Sequence, residues 1–202
     1  MSRDGLIVDW GGVMTTDVFA SFEAFCRAEG MDPDTVRNRF RHDETARQLL
    51  FDLETGAIRE PEFEPRFADV LGVGADGLID RLFAGMRADE PMHEAVAAAR
   101  RAGVRTGLLS NSWGDDRYDR SRFSELFDAV VISSEVGLRK PDPEIYALAC
   151  ERLGLPPARC VFVDDLGGNL KPAAAIGIAT VKHTDAATTI AELEDLLGVS
   201  LR

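Results

Sequence analysis

The chain has 202 residues, of which 45% are hydrophobic, and it carries a formal net charge of −12 at pH 7. This length and apolar content allow a folded interior and exclude a disordered chain. The acidic balance disfavours partners that are bound through a basic face, so we expect neither nucleic acid nor a membrane surface as a partner.

The first predicted strand, residues 6–8, ends at an acidic side chain. The run is short and apolar, which is typical of a strand buried on both faces of a sheet. Asp9 follows it, and Gly11 and Gly12 let the backbone turn sharply and approach a ligand closely. Because open α/β sheets bind ligands at the carboxyl ends of their strands, Asp9 is a candidate site residue. Taken alone, the motif indicates a plain turn about as often as a site.

Residues 15–88 are predicted to be helical throughout. Asp17 offers an N-cap, and apolar residues then recur at helical spacing in five successive segments. Arg39 and His42 belong to one of these segments and could face the site. An exposed helical face is the simpler interpretation of both, and we favour it by about three to one.

From residue 91 onward, strands and helices alternate. Strands are predicted at residues 104–109, 129–132, 160–163 and 178–181. Such alternation implies right-handed crossovers and a parallel sheet that is covered on both faces. We therefore predict an α/β fold with a doubly wound parallel sheet, in which residues 1–14 and 89–202 form the core. Residues 15–88 would be an all-helical cap inserted after the first strand.

Polar and charged residues follow four of the predicted strands at the same edge of the sheet. They are Asp9, then Ser110 and Asn111, then Lys140, and finally Asp164 and Asp165. Carboxylates that meet at one edge need a cation to offset their repulsion, and oxygen ligands without His or Cys are typical of Mg²⁺. Ser110 could hold the oxygens of a phosphoryl group, Lys140 could neutralise its charge, and Asp9 could attack phosphorus.

The cysteines and the N-terminal residues predict a cytoplasmic protein. Cys26, Cys150 and Cys160 show no CxxC spacing, which is typical of reduced thiols. The first residues lack the order of a signal peptide, and no apolar run is long enough to span a bilayer. His93 and His183 have no metal-ligand spacing and are predicted to lie at the surface.

Together, these motifs resemble the haloacid dehalogenase-like hydrolase superfamily with a helical cap. Three segments, Leu109-Ser-Asn-Ser, Gly137-Leu-Arg-Lys-Pro and Phe162-Val-Asp-Asp-Leu-Gly-Gly-Asn, look most like the branch of a sugar-1-phosphate phosphatase and the N-terminal domains of soluble epoxide hydrolases. The resemblance implies that Asp9 is the nucleophile, that Ser110 binds the phosphoryl group and that Lys140 steadies both. It further implies substrate contacts by Gly11, Gly12 and Asn111, and a Mg²⁺ site formed by Asp9, the Gly11 carbonyl, Asp164 and Asp165.

Position 11 departs from the pattern of this superfamily. Its phosphatases usually carry a second Asp there, which protonates the leaving oxygen and later activates water, whereas this chain has Gly11. Loss of such a group costs roughly 10²–10⁴-fold in rate unless another group substitutes.

We therefore expect a Mg²⁺-dependent phosphohydrolase acting on a small phosphorylated metabolite through an aspartyl-phosphate, biased toward good leaving groups such as an anomeric sugar phosphate. One alternative is a metal-independent dehalogenase, which the paired acids Asp164 and Asp165 argue against. Another is a catalytically weak phosphate-binding regulatory domain, which only Gly11 supports. The sequence leaves a monomer and a homodimer equally open.

Overall fold

The computed structural model describes residues 3–114 and 118–202, and its five strands form one parallel sheet in the order β3-β2-β1-β4-β5. The strands are β1 (Gly5–Val8), β2 (Arg105–Ser110), β3 (Ala129–Ile132), β4 (Cys160–Asp164) and β5 (Ala179–Lys182). The chain adds β2 and β3 on one side of β1 and then β4 and β5 on the other. The carboxyl ends of β1, β2 and β4 therefore border the switch point at which such sheets bind ligands.

Helices cover both faces of this sheet and also fill the long segment after β1. They are α1 (Val18–Ala28), α2 (Thr35–His42), α3 (Glu44–Glu54), α4 (Glu60–Leu71), α5 (Leu78–Phe83), α6 (Glu90–Arg101), α7 (Phe123–Leu126), α8 (Ser133–Val136), α9 (Pro143–Leu153), α10 (Gly167–Ala175) and α11 (Ala186–Leu197). In the described part of the chain, we find no helix with the length and apolar character needed to cross a lipid bilayer.

Successive side chains of the central strand pack into different hydrophobic clusters. Leu6 and Val8 of β1 pack with α6 and α11 on one face, whereas Ile7 packs with α9 and α10 on the other. All three side chains are almost completely buried. A strand that is covered on both faces needs apolar residues at every position, which is why its sequence does not alternate. The predicted doubly wound α/β fold is confirmed.

Helices α1–α5 lie between β1 and α6, and we call this segment the insertion. It encloses a hydrophobic cluster of its own, in which the ring of Phe40 stacks on that of Phe67 at a centroid distance of 4.7 Å. Trp113, from the loop after β2, packs against this cluster from the core side. An antiparallel bridge between Thr15 and Ala88 joins the two ends of the segment. The predicted domain limits at these positions stay a prediction.

Two histidines are buried, so the prediction that they lie at the surface is wrong. His93 Nε2 donates to the Met14 carbonyl oxygen at 2.9 Å, and its ring packs against Trp10. His183 Nδ1 lies 3.0 Å from the hydroxyl oxygen of Thr189. A single specific hydrogen bond offsets much of the cost of burying a polar ring, and hydropathy patterns carry no information about such a partner.

Candidate active site

The ends of three strands and one loop bring four predicted site residues to the same edge of the sheet. Asp9 follows β1, while Ser110 and Asp164 are the last residues of β2 and β4. The sheet register places Val8, the residue before Asp9, beside Leu108 and Val163. Lys140 reaches the same place from the loop between α8 and α9, and the four residues lie together and are largely buried. They are 7%, 2%, 0% and 1% exposed for Asp9, Ser110, Asp164 and Lys140.

Lys140 bridges two carboxylates in the interior. Its Nζ lies 2.8 Å from Asp9 Oδ1 and 2.7 Å from Asp164 Oδ2. Burial alone would lower the pKa of Lys140, but the two carboxylates outweigh burial and raise this pKa above its ordinary value. Lys140 therefore stays a charged ammonium at a fixed position between two separate strands.

The acidic residues at this edge outnumber the ammonium. Asp9, Asp164 and Asp165 each offer an oxygen, and these oxygens all lie within 4.8 Å of one another. Burial and the nearby Asp164 raise the pKa of Asp165 to about 6. Burial also raises the pKa of Asp9, an effect that Lys140 opposes and Asp164 reinforces. The three carboxyl groups thus outnumber the single ammonium, and their hard oxygen donors fit a cation such as Mg²⁺.

Asp164 is held in place by several donors at once. The Leu166 N–H donates to Asp164 Oδ1 at 2.8 Å, and Asn169 Nδ2 donates to both carboxylate oxygens at 3.1 and 3.0 Å. Tyr146 in turn donates its hydroxyl proton to the Asn169 carbonyl oxygen. Asp164 is therefore held rigidly in the position where it pairs with the Lys140 ammonium.

The backbone conformation at position 12 and the close approach of Asp165 both require a glycine there. Its φ of +74° lies in the left-handed region, and a Cβ at this position would come within 2.7 Å of Asp165 Oδ2. Its N–H donates to the Thr15 hydroxyl at 3.1 Å, which fixes the turn after β1. Any side chain at Gly12 would push the Asp165 carboxylate away from the cluster.

We expect Gly12→Ala to weaken Mg²⁺ binding at the acidic cluster, because the new methyl group displaces Asp165. Gly30→Ala is a matched control, since Gly30 has a φ of +71° and open space around its Cβ position. Both variants should lose about 1 kcal/mol of unfolding free energy from backbone strain. The measured Mg²⁺ affinity should fall only in Gly12→Ala. Equal behaviour of the two variants would show that Asp165 does not depend on this contact.

Asn111 holds the backbone of Lys140. Its Oδ1 accepts from the Lys140 N–H at 2.8 Å, and its Nδ2 donates to the Lys140 carbonyl oxygen at 3.0 Å. The side chain thereby ties the loop that carries the ammonium to the end of β2. The substrate contacts predicted for Asn111, Gly11 and Gly12 stay predictions, and the observed role of Asn111 is to position Lys140.

Ser110 has a buried partner that the sequence gives no reason to expect. The Tyr118 hydroxyl donates to Ser110 Oγ at 3.0 Å, and Ser110 Oγ makes a long 3.3 Å contact with the Asn111 carbonyl oxygen. Burial raises the pKa of Tyr118 above its ordinary value, so its phenol stays protonated. Tyr118 lies eight residues beyond β2, where no motif marks it.

Glu54, at the end of α3, is a second buried residue for which the sequence pattern gives no signal. It is 5% exposed, and its Oε2 lies 2.8 Å from Nη2 of Arg139. Burial raises the pKa of Glu54 to about 7, although Arg139 and Lys140 both act to lower it. A glutamate just before Gly56 at a helix end is ordinarily solvated, so composition and spacing do not reveal it.

A cavity of about 250 Å³ separates this edge of the sheet from the insertion. Its floor is polar, and its opposite wall is mostly apolar, formed by Val18, Phe19, Phe22, Phe40, Leu50, Phe83, Met86 and Trp113. Arg39 and His42 are exposed and face a separate shallow groove, as the simpler interpretation of the sequence expects. A larger, more open groove of about 510 Å³ beside α8 contains none of the acidic cluster.

The chain is similar in sequence to a family of hydrolases and to several characterised proteins. A family model for haloacid dehalogenase-like hydrolase matches residues 4–177. Bifunctional epoxide hydrolase 2 of Sus scrofa is 35% identical over 131 residues, which are 61% of this chain and 24% of that protein. N-acetylmuramic acid 6-phosphate phosphatase of Pseudomonas aeruginosa is 28% identical over 166 residues, which are 80% of this chain and 70% of that protein. The chain thus spans about a quarter of the length of the first relative.

Solved structures share the same architecture. A HAD family enzyme from Bacteroides thetaiotaomicron, in complex with magnesium and inorganic phosphate, superimposes with a TM-score of 0.67 at 21% identity. The match covers 91% of this chain and 95% of that chain. At this identity the likeness concerns the fold alone, which agrees with the α/β architecture described above.

Proposed function

Because the chain belongs to the haloacid dehalogenase-like hydrolase family, we propose that it is a Mg²⁺-dependent phosphohydrolase that forms an aspartyl-phosphate on Asp9. The observation that carries the proposal is the Lys140 ammonium, 2.8 Å from Asp9 and 2.7 Å from Asp164, beside a third carboxylate. A phosphoryl group is highly charged, and its transfer depends on positioning and on nearby positive charge. The substrate is a small phosphorylated metabolite that binds in the 250 Å³ cavity.

Asp9 is the nucleophile in this proposal. The Trp10 N–H donates to Asp9 Oδ1 at 2.7 Å, and Lys140 contacts the same oxygen. These two donors fix the rotation of the carboxylate, so its attack needs little reorganisation. The Ser110 hydroxyl donates a hydrogen bond to a phosphoryl oxygen instead of making its long contact with the Asn111 carbonyl oxygen. The Tyr118 hydroxyl keeps Ser110 in place by donating to Ser110 Oγ.

Asp9 and Asp165, with the Gly11 carbonyl and Asp164, would hold the Mg²⁺ ion. When bound, this ion neutralises negative charge on the transferring phosphoryl group. The insertion acts as the cap, and its side chains form the wall of the cavity that faces the polar floor.

The apolar wall of the cavity favours a substrate whose organic part is a hydrocarbon. Phe19, Leu50 and Met86 offer no hydrogen-bonding groups to a sugar ring, and a sugar hydroxyl that lost its water there would remain unpaired. We therefore favour an alkyl, isoprenoid or aryl phosphate over the anomeric sugar phosphate that position 11 suggests.

The test is phosphate release from ethyl to hexyl phosphate and from glucose 1-phosphate, with Mg²⁺ or with EDTA. We expect kcat/KM to rise by up to about fourfold for each added methylene, because each buried methylene contributes about 0.8 kcal/mol. EDTA should abolish release, and glucose 1-phosphate should be a poor substrate.

The same assay separates the alternatives. Halide release from 2-chloropropionate without metal would indicate the dehalogenase, and phosphate binding with no turnover on any ester would indicate the regulatory domain. Either result would contradict the phosphohydrolase. A preference for glucose 1-phosphate over hexyl phosphate would leave the reaction in place and contradict the hydrocarbon substrate.

A further inference from the structure

At the position where the family's phosphatases usually carry an acid, the loop after β1 has no carboxyl group and little space for one. Gly11 has no side chain, and a Cβ there would lie 3.0 Å from Cγ2 of Val18. An aspartate would have to displace Val18, which forms part of the cavity wall. Hydrolysis of an alkyl phosphate nevertheless needs a proton donor for the departing oxygen, so the donor must come from another part of the cavity.

Carboxyl groups in the cavity are few among the described residues. Those that line it are Asp9, Glu54 and Asp165. Asp9 carries the phosphoryl group in the proposed reaction, and Asp165 belongs to the acidic cluster. Tyr118 also lines the cavity, but burial raises its pKa above the ordinary value and makes it a weaker acid near neutral pH. Glu54 is the carboxyl group that no other part of the mechanism uses.

The main chain of Glu54 is fixed to the core. The Ser133 hydroxyl donates to its carbonyl oxygen, and Ser133 Oγ also accepts from the Ser112 N–H at 2.8 Å. Close packing continues two residues later, where a Cβ on Gly56 would lie 2.5 Å from the Ser134 carbonyl oxygen. The end of α3 is therefore held firmly against the core loops that border the phosphoryl site.

The side chain of Glu54 lies among the same loops. Arg139 Nη2 is 2.8 Å from its Oε2, and Asn111 lines the same cavity as Glu54. Arg139 immediately precedes Lys140, and Asn111 immediately follows Ser110. Glu54 thus reaches from the insertion to residues adjacent to both the ammonium and the phosphoryl-binding hydroxyl.

The direction of approach suits a proton donor. In phosphoryl transfer, the attacking and leaving oxygens lie roughly in line on opposite sides of phosphorus. Asp9 attacks from the sheet edge, so the leaving oxygen faces the insertion, which is the side from which Glu54 enters the cavity.

We propose that Glu54, supplied by the insertion, is the general acid and base of this enzyme in place of the missing side chain at position 11. The inference rests on the proposed function. When Asp9 forms its bond to phosphorus, the bond between phosphorus and the leaving oxygen breaks, and the Glu54 carboxyl proton passes to that oxygen. Water then attacks the phosphorus of the aspartyl-phosphate and gives one proton to the Glu54 carboxylate. The bond between Asp9 and phosphorus breaks, which releases phosphate and leaves Asp9 as a carboxylate and Glu54 protonated again.

The electrostatic surroundings of Glu54 agree with both roles. Burial raises its pKa to about 7, while Arg139 and Lys140 limit the rise. A pKa near the working pH lets one carboxyl group donate a proton in the first step and accept one in the second.

The test compares Glu54→Gln with the wild type on ethyl phosphate and 4-nitrophenyl phosphate in saturating Mg²⁺. Ethoxide is a poor leaving group, so we expect kcat/KM for ethyl phosphate to fall by roughly 10²–10⁴-fold. Nitrophenolate leaves without a proton, so kcat/KM for its ester should change by less than about fivefold. Because the second step lacks its base, Glu54→Gln should release one equivalent of nitrophenol in a burst and then turn over slowly.

The pH profile separates catalysis from simple anchoring of the insertion. For the wild type, kcat/KM on ethyl phosphate should decline as pH rises through about 7, when Glu54 loses its proton. Glu54→Gln should lack this alkaline limb. Arg139→Met breaks the ion pair but keeps the carboxyl group, and the lost cation lets the pKa of Glu54 rise. Its alkaline limb should therefore move to higher pH.

Each outcome decides the assignment. Equal losses on both esters, or an alkaline limb that persists in Glu54→Gln, would overturn it while the phosphohydrolase stands. Absence of Mg²⁺-dependent hydrolysis by the wild type would overturn the proposed function and this assignment together. If Glu54→Gln does not fold by circular dichroism, Arg139→Met decides, and an unshifted alkaline limb would overturn the proposal.

Discussion

Asp9→Asn is expected to lower kcat for phosphate release by about 10⁴-fold or more, as removal of a covalent nucleophile does in other enzymes. The amide has nearly the size of the carboxylate but does not attack phosphorus. Its oxygen can still accept from the Trp10 N–H, so the loop after β1 should keep its conformation. Activity is measured on 4-nitrophenyl phosphate, and folding is followed by thermal denaturation.

Asp185→Asn is the matched control for this change. Asp185 caps α11 by accepting from the Thr188 N–H at 2.9 Å, and asparagine caps helices about as well. The control should retain full activity. If Asp9→Asn retained more than a few per cent of wild-type kcat, a nucleophile other than Asp9 would be required.

Lys140→Met should have the second largest effect, acting on both activity and stability. The substitution leaves the buried carboxylates of Asp9 and Asp164 without their shared ammonium. Breaking a buried ion pair in this way costs about 3–5 kcal/mol of unfolding free energy. Loss of the charge beside the phosphoryl group should lower kcat/KM by about 10²–10³-fold. Urea denaturation in EDTA and phosphate release in Mg²⁺ measure the two effects.

Lys171→Met is the corresponding control, because Lys171 is exposed on α10. It should change neither quantity by more than a small amount, since exposed lysines contribute little to stability. A Lys140→Met protein with normal stability but low activity would mean that the ammonium serves the substrate and not the fold. A protein with normal activity would exclude Lys140 from the mechanism.

The convergence of Asp9, Ser110, Lys140 and Asp164 follows from sequence because it depends on a simple rule. Parallel strands place their carboxyl ends at one edge, so any residue directly after a strand is brought there once the strands are identified. The apolar runs of β1 and β4 mark those strands clearly, since both faces are covered. The positions of the motifs after the strands are therefore enough to predict that these residues lie together.

The sequence does not predict the burial of Glu54, Tyr118 and His93, and the physical reason is the same for all three. Each is a polar residue whose burial depends on one partner in another element or loop, such as Arg139 for Glu54 or Ser110 for Tyr118. Periodicity reports which face of a helix is apolar, but not which single polar residue docks against another element. The cavity wall cannot be predicted for a similar reason. Apolar residues that fill the interior of the insertion and apolar residues that line the cavity recur at the same helical spacing.

The insertion therefore has two functions that the sequence does not separate. Phe63 and Phe67 build its own interior, whereas Phe19 and Leu50 are half-buried and face the cavity. In the proposed function, the insertion can change its cavity-facing residues with little effect on its own interior. A change of substrate preference would then leave the sheet edge unaltered.

Covalent catalysis by Asp9 is tested by identifying the phosphorylated residue by mass spectrometry after acid quench of a single turnover. We expect one phosphoryl group on the peptide that contains Asp9, which is present in the wild type, accumulates in Glu54→Gln and is absent in Asp9→Asn. Turnover without any labelled peptide, or a phosphoryl group on another residue, would contradict it.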